Sequence, residues 1–456
     1  MKLWKPSLAF LYKTSARTQS KAFKASPPVV LASGFAVLIL LGTLALKLPF
    51  ATVVPITWLQ AVFTATSAVT VTGLVVADTG GDFTLFGTSV IAVLIQLGGI
   101  GFMTFAILAV SSLGGKISIQ QRLLAKEAMN QTSLMNIVKT AKAVLILAVI
   151  CELVAAIALT LLWWPEMPLL KAFGHGLFYA ISAFNNAGFG LSPDSLIPYA
   201  SNVPINLIIS CLFIVGGLGF SVITNMYEGR RWRNFSVYTK SILITTLVIN
   251  LVSMFVIYGL EHNNPQTLGG LSNVGQWTAA WFQAVTPRTA GFNSVDIGAL
   301  TDASAVYMLL LMFIGGGSMS TAGGIKLGTF IILMLATYTF IRRREHVTLM
   351  ERSIAQEAVM KALAVTMVTI AMLFIGIFVL MILNNLPFID IAFEVLSASA
   401  TVGLSRGVTD QLTPLSQCII MLLMFAGRVG PLTLVYFLTT PNKRRIRYPQ
   451  TTIQVG

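Results

Sequence analysis

Charged residues are scarce in this sequence. Asp, Glu, Lys and Arg make up only 10% of its 456 residues, whereas 55% of the residues are hydrophobic. A soluble domain normally carries about 25% charged residues. The shortage of charge therefore excludes a soluble globular protein and predicts a polytopic membrane protein.

Cysteine and histidine, which build disulfide frameworks, zinc sites and many catalytic centres, are almost missing. Each of the three cysteines lies inside an apolar run, which is typical of a small buried side chain: Cys151, Cys211 and Cys418. The three histidines lie far apart: His175, His262 and His346. The sequence shows neither zinc-ligand spacing nor a serine nucleophile motif. It therefore predicts no enzyme activity and no organic cofactor.

Acidic residues are absent from the first segment of the chain. Residues 1–26 hold six Lys and Arg residues and no acid, which favours a retained first span over a cleaved signal peptide. The whole chain has a net charge of +14. Its basic residues form short clusters between apolar runs, however, and not the basic stripe with aromatic residues that nucleic acid binding needs. We therefore predict no nucleic acid partner.

Long apolar runs are abundant. Eight of them are each long enough to cross about 30 Å of hydrocarbon as a helix. They lie at roughly 27–46, 84–113, 138–164, 203–227, 238–260, 303–341, 361–384 and 411–438. Four semi-apolar segments between them are too short to span, which is typical of re-entrant half-helices. These segments are 57–70, 172–185, 275–286 and 388–400.

A repeated unit relates the four short segments. After each one stands a glycine, and ten residues before that glycine stands an aromatic residue. The glycines are Gly73, Gly188, Gly291 and Gly403, and the aromatic residues are Phe63, Phe178, Trp281 and Phe393. This shared register indicates a fourfold repeat of span, half-helix and span. We predict an all-α fold with repeats at 27–113, 138–227, 238–341 and 361–438, between tails at 1–26 and 439–456.

The distribution of charge predicts the topology. The basic clusters fall on the side that holds both termini, which is the pattern of cytoplasmic segments in a cell (inner) membrane. The opposite side holds the basic residues Lys47, Lys171, Arg288 and Arg406. Its acidic residues are Asp78, Asp82, Glu166, Asp194, Glu261, Asp296, Asp302, Asp390, Glu394 and Asp410. We therefore expect cytoplasmic termini and a net negative outer vestibule that concentrates cations.

The residues just before each repeated glycine carry no charge. A half-helix points its partly negative C-terminal end toward such a loop, and glycine lets the backbone turn its carbonyl groups one way. Four converging loops could therefore replace the hydration shell of a monovalent cation such as K+ with carbonyl oxygens; glycines that merely permit loop turns are the alternative. The predicted filter contains Val71, Thr72, Gly73, Asn186, Ala187, Gly188, Thr289, Ala290, Gly291, Thr401, Val402 and Gly403.

The stretches "TVTGL", "NNAGF", "TPRTAGF" and "ATVGLSRG" resemble the four pore loops of the Trk/Ktr/HKT superfamily of potassium transporters. The resemblance covers nearly the whole chain and is greatest to the KtrB-type membrane subunit of K+ uptake systems. It implies a K+-channel-like fold with four repeats around one pore. It also implies a homodimer in membrane lipid, docked on a cytoplasmic ring of nucleotide-binding KtrA-type subunits. Some members of the family also need Na+.

Two features interrupt the later apolar runs. The five glycines of "GGGSMSTAGGIK" (315–326) should break a helix. The resemblance makes this segment an intramembrane gating loop, with a simple helix kink as the alternative. Its gate residues would be Gly315, Gly316, Gly317, Gly323, Gly324 and Lys326. Arg428, inside the last run, must face protein or water and is either an electrostatic barrier in the pore or a structural residue. Glu152 is a second intramembrane charge, whose partner the sequence does not identify.

The favoured function is the pore of a K+ uptake system, gated by the loop and by a cytoplasmic partner. The alternative is an alternating-access secondary transporter for a monovalent cation. Such a transporter predicts discontinuous spans in paired halves, whereas this sequence repeats its unit four times.

Overall fold

The fold comes from a computed structural model, which describes residues 27–101 and 137–430. The predicted tails at 1–26 and 439–456 lie outside the described residues, as do the later parts of the runs 84–113 and 411–438. The helices are α1 (Pro27–Leu46), α2 (Trp58–Thr70), α3 (Leu85–Gly99), α4 (Ile137–Trp163), α5 (Leu169–Phe184), α6 (Val203–Leu218), α7 (Phe220–Gly229), α8 (Val237–Glu261), α9 (Asn273–Val285), α10 (Asp302–Phe313), α11 (Leu327–Ile341), α12 (Gln356–Leu383), α13 (Phe388–Ala400) and α14 (Pro414–Val429). A small antiparallel hairpin, β1 (Thr348–Leu349) and β2 (Arg352–Ser353), joins α11 to α12.

One long helix begins each predicted repeat: α1, α4, α8 and α12. The shortest of them, α1, has 20 residues and the longest, α12, has 28, so each can cross the hydrocarbon of a bilayer. Large apolar side chains on their outer faces are exposed, for example Leu40, Ile157 and Phe378. These exposed faces suit contact with lipid, and the opposite faces pack against the shorter helices.

The second helix of each repeat is short: α2, α5, α9 and α13. Each end lies within three residues of the half-helices predicted at 57–70, 172–185, 275–286 and 388–400. Their side chains are largely buried, and Phe63, Phe282 and Phe393 are completely so. In α2, a capping box between Thr57 and Gln60 satisfies the first backbone N–H groups. The predicted fold class, an all-α polytopic membrane protein with re-entrant half-helices, is confirmed.

The third helix of each repeat stops partway along its apolar run, so the prediction that the runs 84–113, 203–227 and 411–438 form continuous helices is wrong. The run 203–227 forms α6 and α7, which are bent by 92°. The run 303–341 forms α10 and α11, and the segment 314–326 lies between them; only this break was expected. Within the described ranges, four helices are long and apolar enough to span, or five if the bent pair counts as one.

Glycines cause three of these breaks. Just after α3, α6 and α14, a glycine has a φ of 89° to 99°, which ends the helix: Gly101, Gly219 and Gly430. Three residues earlier, another glycine lies against the last carbonyl groups of a short helix. A Cβ added to Gly98, Gly216 or Gly427 would lie 2.0 to 2.1 Å from Val69 O, Phe184 O or Ser399 O. The G-x-x-G spacing, repeated three times, was the signal in the sequence that could have predicted the breaks.

A buried carboxylate joins two helices of the third repeat. Glu261, the last residue of α8, is fully buried. Its oxygens accept hydrogen bonds from Thr267 Oγ1 (2.6 Å), Asn264 Nδ2 (2.8 Å), and both the N–H (2.9 Å) and Oγ1 (2.7 Å) of Thr301. Since Thr301 is the N-cap of α10, this carboxylate ties the end of one helix to the start of another.

Truncation of Glu261 to Ala should lower the stability of the protein by on the order of 3 kcal/mol, because it leaves buried donors without an acceptor. The measurement is the melting temperature of the purified protein in detergent. Glu166→Ala is the matched control, since Glu166 is exposed and accepts one hydrogen bond, from Tyr199. Equal melting temperatures for the two variants would contradict the structural role assigned to Glu261.

Candidate ion pathway

The same unusual backbone conformation follows each short helix. A residue with a side chain adopts a positive φ, and the glycine two positions later does so again. The first set is Val71, Asn186, Thr289 and Thr401, with φ from 51° to 70°, and the second is Gly73, Gly188, Gly291 and Gly403, with φ from 70° to 94°. Positive φ is rare for a β-branched residue, and such strained conformations cluster at functional sites.

The four glycines form a closed ring, which we call the glycine ring. Each one faces the carbonyl oxygen that precedes the glycine of the next repeat. An added Cβ would lie 2.4 Å from Ala187 O at Gly73, 3.1 Å from Ala290 O at Gly188, 2.4 Å from Val402 O at Gly291 and 2.1 Å from Thr72 O at Gly403. The contacts run through the repeats in chain order and return to the first. The structure therefore brings the predicted filter residues together around one axis.

Hydroxyl groups of the short helices hold this backbone in place. The N–H of Gly73 donates to Ser67 Oγ at 3.0 Å, and the N–H of Gly403 donates to Ser397 Oγ at 3.1 Å. The same spacing of six residues recurs between Ser182 and the ring glycine of the second repeat, but the buried hydroxyl of Ser182 has no hydrogen-bond partner among the described residues. Sequence reasoning missed these serines, although their repeated spacing before the glycines was a usable signal.

The segment 314–326 lies against two of the four segments that carry the ring glycines, which we call the predicted filter segments. The N–H of Gly315 donates to Ile325 O at 2.9 Å, and the N–H of Gly317 donates to Gly217 O at 2.8 Å, next to the bend between α6 and α7. A Cβ added to Gly323 would lie 1.9 Å from Thr401 Oγ1. The loop is therefore a compact structure in contact with α6 and with the fourth filter segment, and not a kink within one helix.

Thr321 connects this loop to the second filter segment. Its hydroxyl lies 2.9 Å from Asn186 Oδ1 and 3.3 Å from Phe184 O, and it is buried. The sequence did not single out Thr321, because a lone threonine in a glycine-rich stretch carries no pattern. The contact nevertheless joins the predicted gate to a predicted filter residue directly.

Arg428 extends from α14 to the same loop. Its guanidinium donates to Thr321 O and, on the other side, to the carbonyl groups of Gly98 and Gly99 at the end of α3. No carboxylate lies within 4 Å of it among the residues that the structure describes. Arg428 therefore binds the loop through backbone carbonyls, and the alternative of a structural salt bridge is not observed there. Lys326, half-buried, donates to Ala322 O within the loop.

Three charges that the sequence placed at the outer surface are buried: Glu261, described above, Arg288 and Glu394. Arg288 is 7% exposed, and its Nη1 donates to Asn250 Oδ1 at 3.1 Å. Glu394 is fully buried and accepts hydrogen bonds from Ser405 Oγ at 2.8 Å and Thr409 Oγ1 at 2.6 Å. The predicted vestibule charge therefore needs correction, because counting residues along the chain cannot separate buried charges from exposed ones.

Glu152 on α4 has amide partners, which the sequence did not identify. Its Oε2 accepts a hydrogen bond from Gln96 Nε2 at 3.0 Å, and its Oε1 accepts one from Asn185 Nδ2 at 3.2 Å. Asn185 also donates to Gln96 Oε1 at 2.7 Å. These three side chains connect α3, α4 and the end of α5, directly behind the second filter segment.

Comparison with known proteins gave concordant results. A family model described as cation transport protein, TrkH, matches residues 8–447. Ktr system potassium uptake protein B of Bacillus subtilis (strain 168) is 46% identical over 431 residues, which cover 94% of this chain and 97% of that protein. The protein of the same name from Vibrio alginolyticus is 40% identical over 442 residues, which cover 96% of each. Potassium/sodium uptake protein NtpJ of Enterococcus hirae is 36% identical over 440 residues, 94% of this chain and 97% of that protein.

A solved structure shares the fold. The crystal structure of the potassium transporter TrkH from Vibrio parahaemolyticus superposes with a TM-score of 0.72, covering 92% of this chain and 86% of that chain. The two sequences are only 19% identical, so this likeness supports the architecture and not the details of the site.

Replacement of Gly403 by Ala should destabilise the protein, because the new Cβ would lie 2.1 Å from Thr72 O. Gly407 is the matched control: its φ of 82° is similarly strained for Ala, but none of the described residues has an atom within 4 Å of an added Cβ. We expect Gly407→Ala to cost about 1 kcal/mol and Gly403→Ala at least about 2 kcal/mol more. Melting temperatures of the two purified variants test this, and the same loss in both would show that the ring is loosely packed.

Proposed function

The chain belongs to the TrkH family of cation transport proteins, and on this basis we propose that it is the pore-forming membrane subunit of a K+ uptake system. The family consists of transporters and not of enzymes. The observation that carries the proposal is the glycine ring, in which each filter segment presents a carbonyl oxygen to the next. K+ is the transported ion in this proposal, and the chain's own groups do the work without an organic cofactor.

Carbonyl oxygens suit a monovalent cation. The filter segments contain no carboxylate, whereas pores for divalent cations commonly use acidic rings. The four short helices end at the ring, so their partly negative C-terminal ends stabilise a cation there. The filter would then consist of the three residues up to and including each ring glycine, and K+ would exchange its water shell for their carbonyls.

The loop at 314–326 and Arg428 form the proposed gate. The loop contacts two of the four filter segments, through Thr321 and Gly323. Arg428 fixes the loop by donating a hydrogen bond to Thr321 O, and the same guanidinium donates to the carbonyl group of Gly99 at the end of α3. In this proposal the pore opens when the loop moves away from the filter. That movement requires the hydrogen bonds of Thr321 and Arg428 to break.

A cytoplasmic partner is part of the proposal. Two of the relatives are named as protein B of a Ktr system, which implies at least one other component. We propose that this component is a KtrA-type nucleotide-binding ring, that the chain works as a homodimer in the cell membrane, and that both termini are cytoplasmic. A third relative is named a potassium/sodium uptake protein, so Na+ dependence is included in the tests.

Uptake of K+ by cells that lack their own potassium systems is the direct test of the function. The chain is expressed alone and with a KtrA-type partner, with and without Na+. Saturable K+ uptake that the partner increases is expected. No uptake under any of these conditions, with the protein present in the membrane, would overturn the assignment of the ion.

Selectivity tests the filter. A side chain at Gly291 must displace Val402 O, which lies 2.4 Å from the position of its Cβ. We therefore expect Gly291→Ser to lower the preference for K+ over Na+ by about tenfold, which corresponds to about 1.4 kcal/mol. Gly407→Ser, in open space, is the control. An unchanged preference in Gly291→Ser would show that the ring does not select the ion.

Flux tests the gate. Arg428→Gln removes the charge and the hydrogen bonds to Thr321, Gly98 and Gly99, each worth about 1.5 to 3 kcal/mol for a charged donor. We expect K+ uptake without the partner to rise several-fold. Arg342→Gln, at an exposed position after α11, should leave it unchanged. Reduced amounts of protein without any gain in uptake per molecule would assign Arg428 a structural role only.

A further inference from the structure

Behind the glycine ring, two adjacent repeats each pair an amide side chain with a charged one, and the charge is on the long helix in one repeat and just before the ring glycine in the other. In the second repeat, Asn185 stands three residues before the ring glycine and lies 3.2 Å from Glu152 of the long helix α4. In the third repeat, Arg288 stands three residues before its ring glycine and lies 3.1 Å from Asn250 of the long helix α8. Each place pairs one amide with one charge, but the charge is negative in one repeat and positive in the other.

The first and fourth repeats have no charged or amide side chain at the position of Asn185 and Arg288. Three residues before the ring glycine, the first repeat has Thr70 and the fourth has Ala400. The two charges therefore lie on neighbouring quadrants of the ring, and the fourfold symmetry of the backbone does not extend to the electrostatics behind it.

Neither charge is neutralised by an ion pair within the described part of the chain. The salt bridges found there are those of Arg406 with Asp390 and Asp302, on outer loops. Glu152 is 5% exposed and Arg288 is 7% exposed. Buried charges are normally paired. Two buried charges without an ion pair, next to the proposed cation pathway, therefore suggest a role in ion binding.

The hydrogen bonds of Glu152 favour the ionised form of its carboxylate. Both carboxylate oxygens of Glu152 accept amide N–H bonds, which an ionised carboxylate can do without losing an acceptor to its own proton. A guanidinium remains protonated in proteins, and Nε of Arg288 is buried with no hydrogen-bond partner in residues 27–101 and 137–430. Asn250 therefore orients the guanidinium without cancelling its charge.

A cation in the ring is the mobile charge that these groups would act on. Asn185 is followed directly by Asn186 of the filter, and Arg288 is followed directly by Thr289 of the filter. Charge–charge interactions are screened less in a buried, low-dielectric region than in water. The field of each group therefore reaches the ring, and the two fields have opposite signs.

We propose that Glu152 and Arg288 set the affinity of the filter for its cation in opposite directions. Glu152 strengthens binding of K+, and Arg288 weakens it, so that the ion is attracted and still released. The inference rests on the proposed filter function. It assigns positioning and specificity roles to two residues outside the filter.

The test is the half-saturating K+ concentration of uptake in cells without their own potassium systems. Glu152→Gln, which keeps an amide partner for Asn185, should raise this concentration by on the order of tenfold. Arg288→Gln should lower it by a similar factor. Arg288→Lys keeps the charge and should stay closer to the unmodified protein than Arg288→Gln does. The K+ dependence of the melting temperature of each purified variant provides a binding measurement that is independent of flux.

A second pair of variants changes the charge without removing either residue. Gln96→Lys places a cation beside the carboxylate of Glu152 and should act like Glu152→Gln. Asn250→Asp places an anion beside Arg288 and should act like Arg288→Gln. The inference is supported if, in each pair, the variant at or beside Glu152 raises the half-saturating K+ concentration and the variant at or beside Arg288 lowers it. A purely structural role would impair uptake in all of these variants alike.

Three outcomes would overturn the inference: shifts of the same sign on both sides, no shift in either pair, or failure of all four neutralising variants to fold. The last would show that the charges serve stability alone. Absence of K+ uptake by the unmodified protein would overturn the proposed function, and this inference with it. Saturable uptake by the unmodified protein with unshifted variants would remove only the inference.

Discussion

The backbone of a membrane protein must satisfy its own hydrogen bonds, because hydrocarbon offers none. Four short helices of this chain stop inside the protein and leave their last carbonyl groups free of helical partners. Such ends can persist only where protein or water surrounds them. The long helices surround the short ones. The glycines of the third helices let the third helices approach the carbonyl ends closely. The closed ring, the serine hydroxyls that bind its backbone and the breaks in the third helices all follow from this one constraint.

The sequence predicted the half-helices well, because their length and their place between long apolar runs are local properties. The ends of α13 were predicted at the residues observed, 388 and 400. It predicted the third helices poorly, since hydropathy does not distinguish an apolar helix from an apolar segment that bends. Gly219 turns a run of suitable length through 92°. The burial of Arg288 and Glu394 was also missed, because a loop position says nothing about depth.

The position of the glycine ring was predictable because four copies of one pattern reinforce each other. The contacts that distinguish one repeat from another were not, because each occurs once. Thr321, Arg428 and the partners of Glu152 come from parts of the chain more than 30 residues apart, and no spacing rule connects them. The symmetric part of this protein can therefore be predicted from the sequence, and the asymmetric part, which contains the proposed gate, needs the structure.

One polypeptide supplies all four sides of the ring, and this has a genetic consequence. When four separate subunits build a pore, a cell that makes both normal and altered subunits assembles mostly mixed pores, and one faulty copy can spoil the rest. Here each ring is built from a single gene product, so every ring in such a cell is entirely normal or entirely altered. Defects in the ring itself should therefore lower the number of working rings in proportion to gene dose. They should not impair the rings made from a normal copy, and in this sense they are recessive.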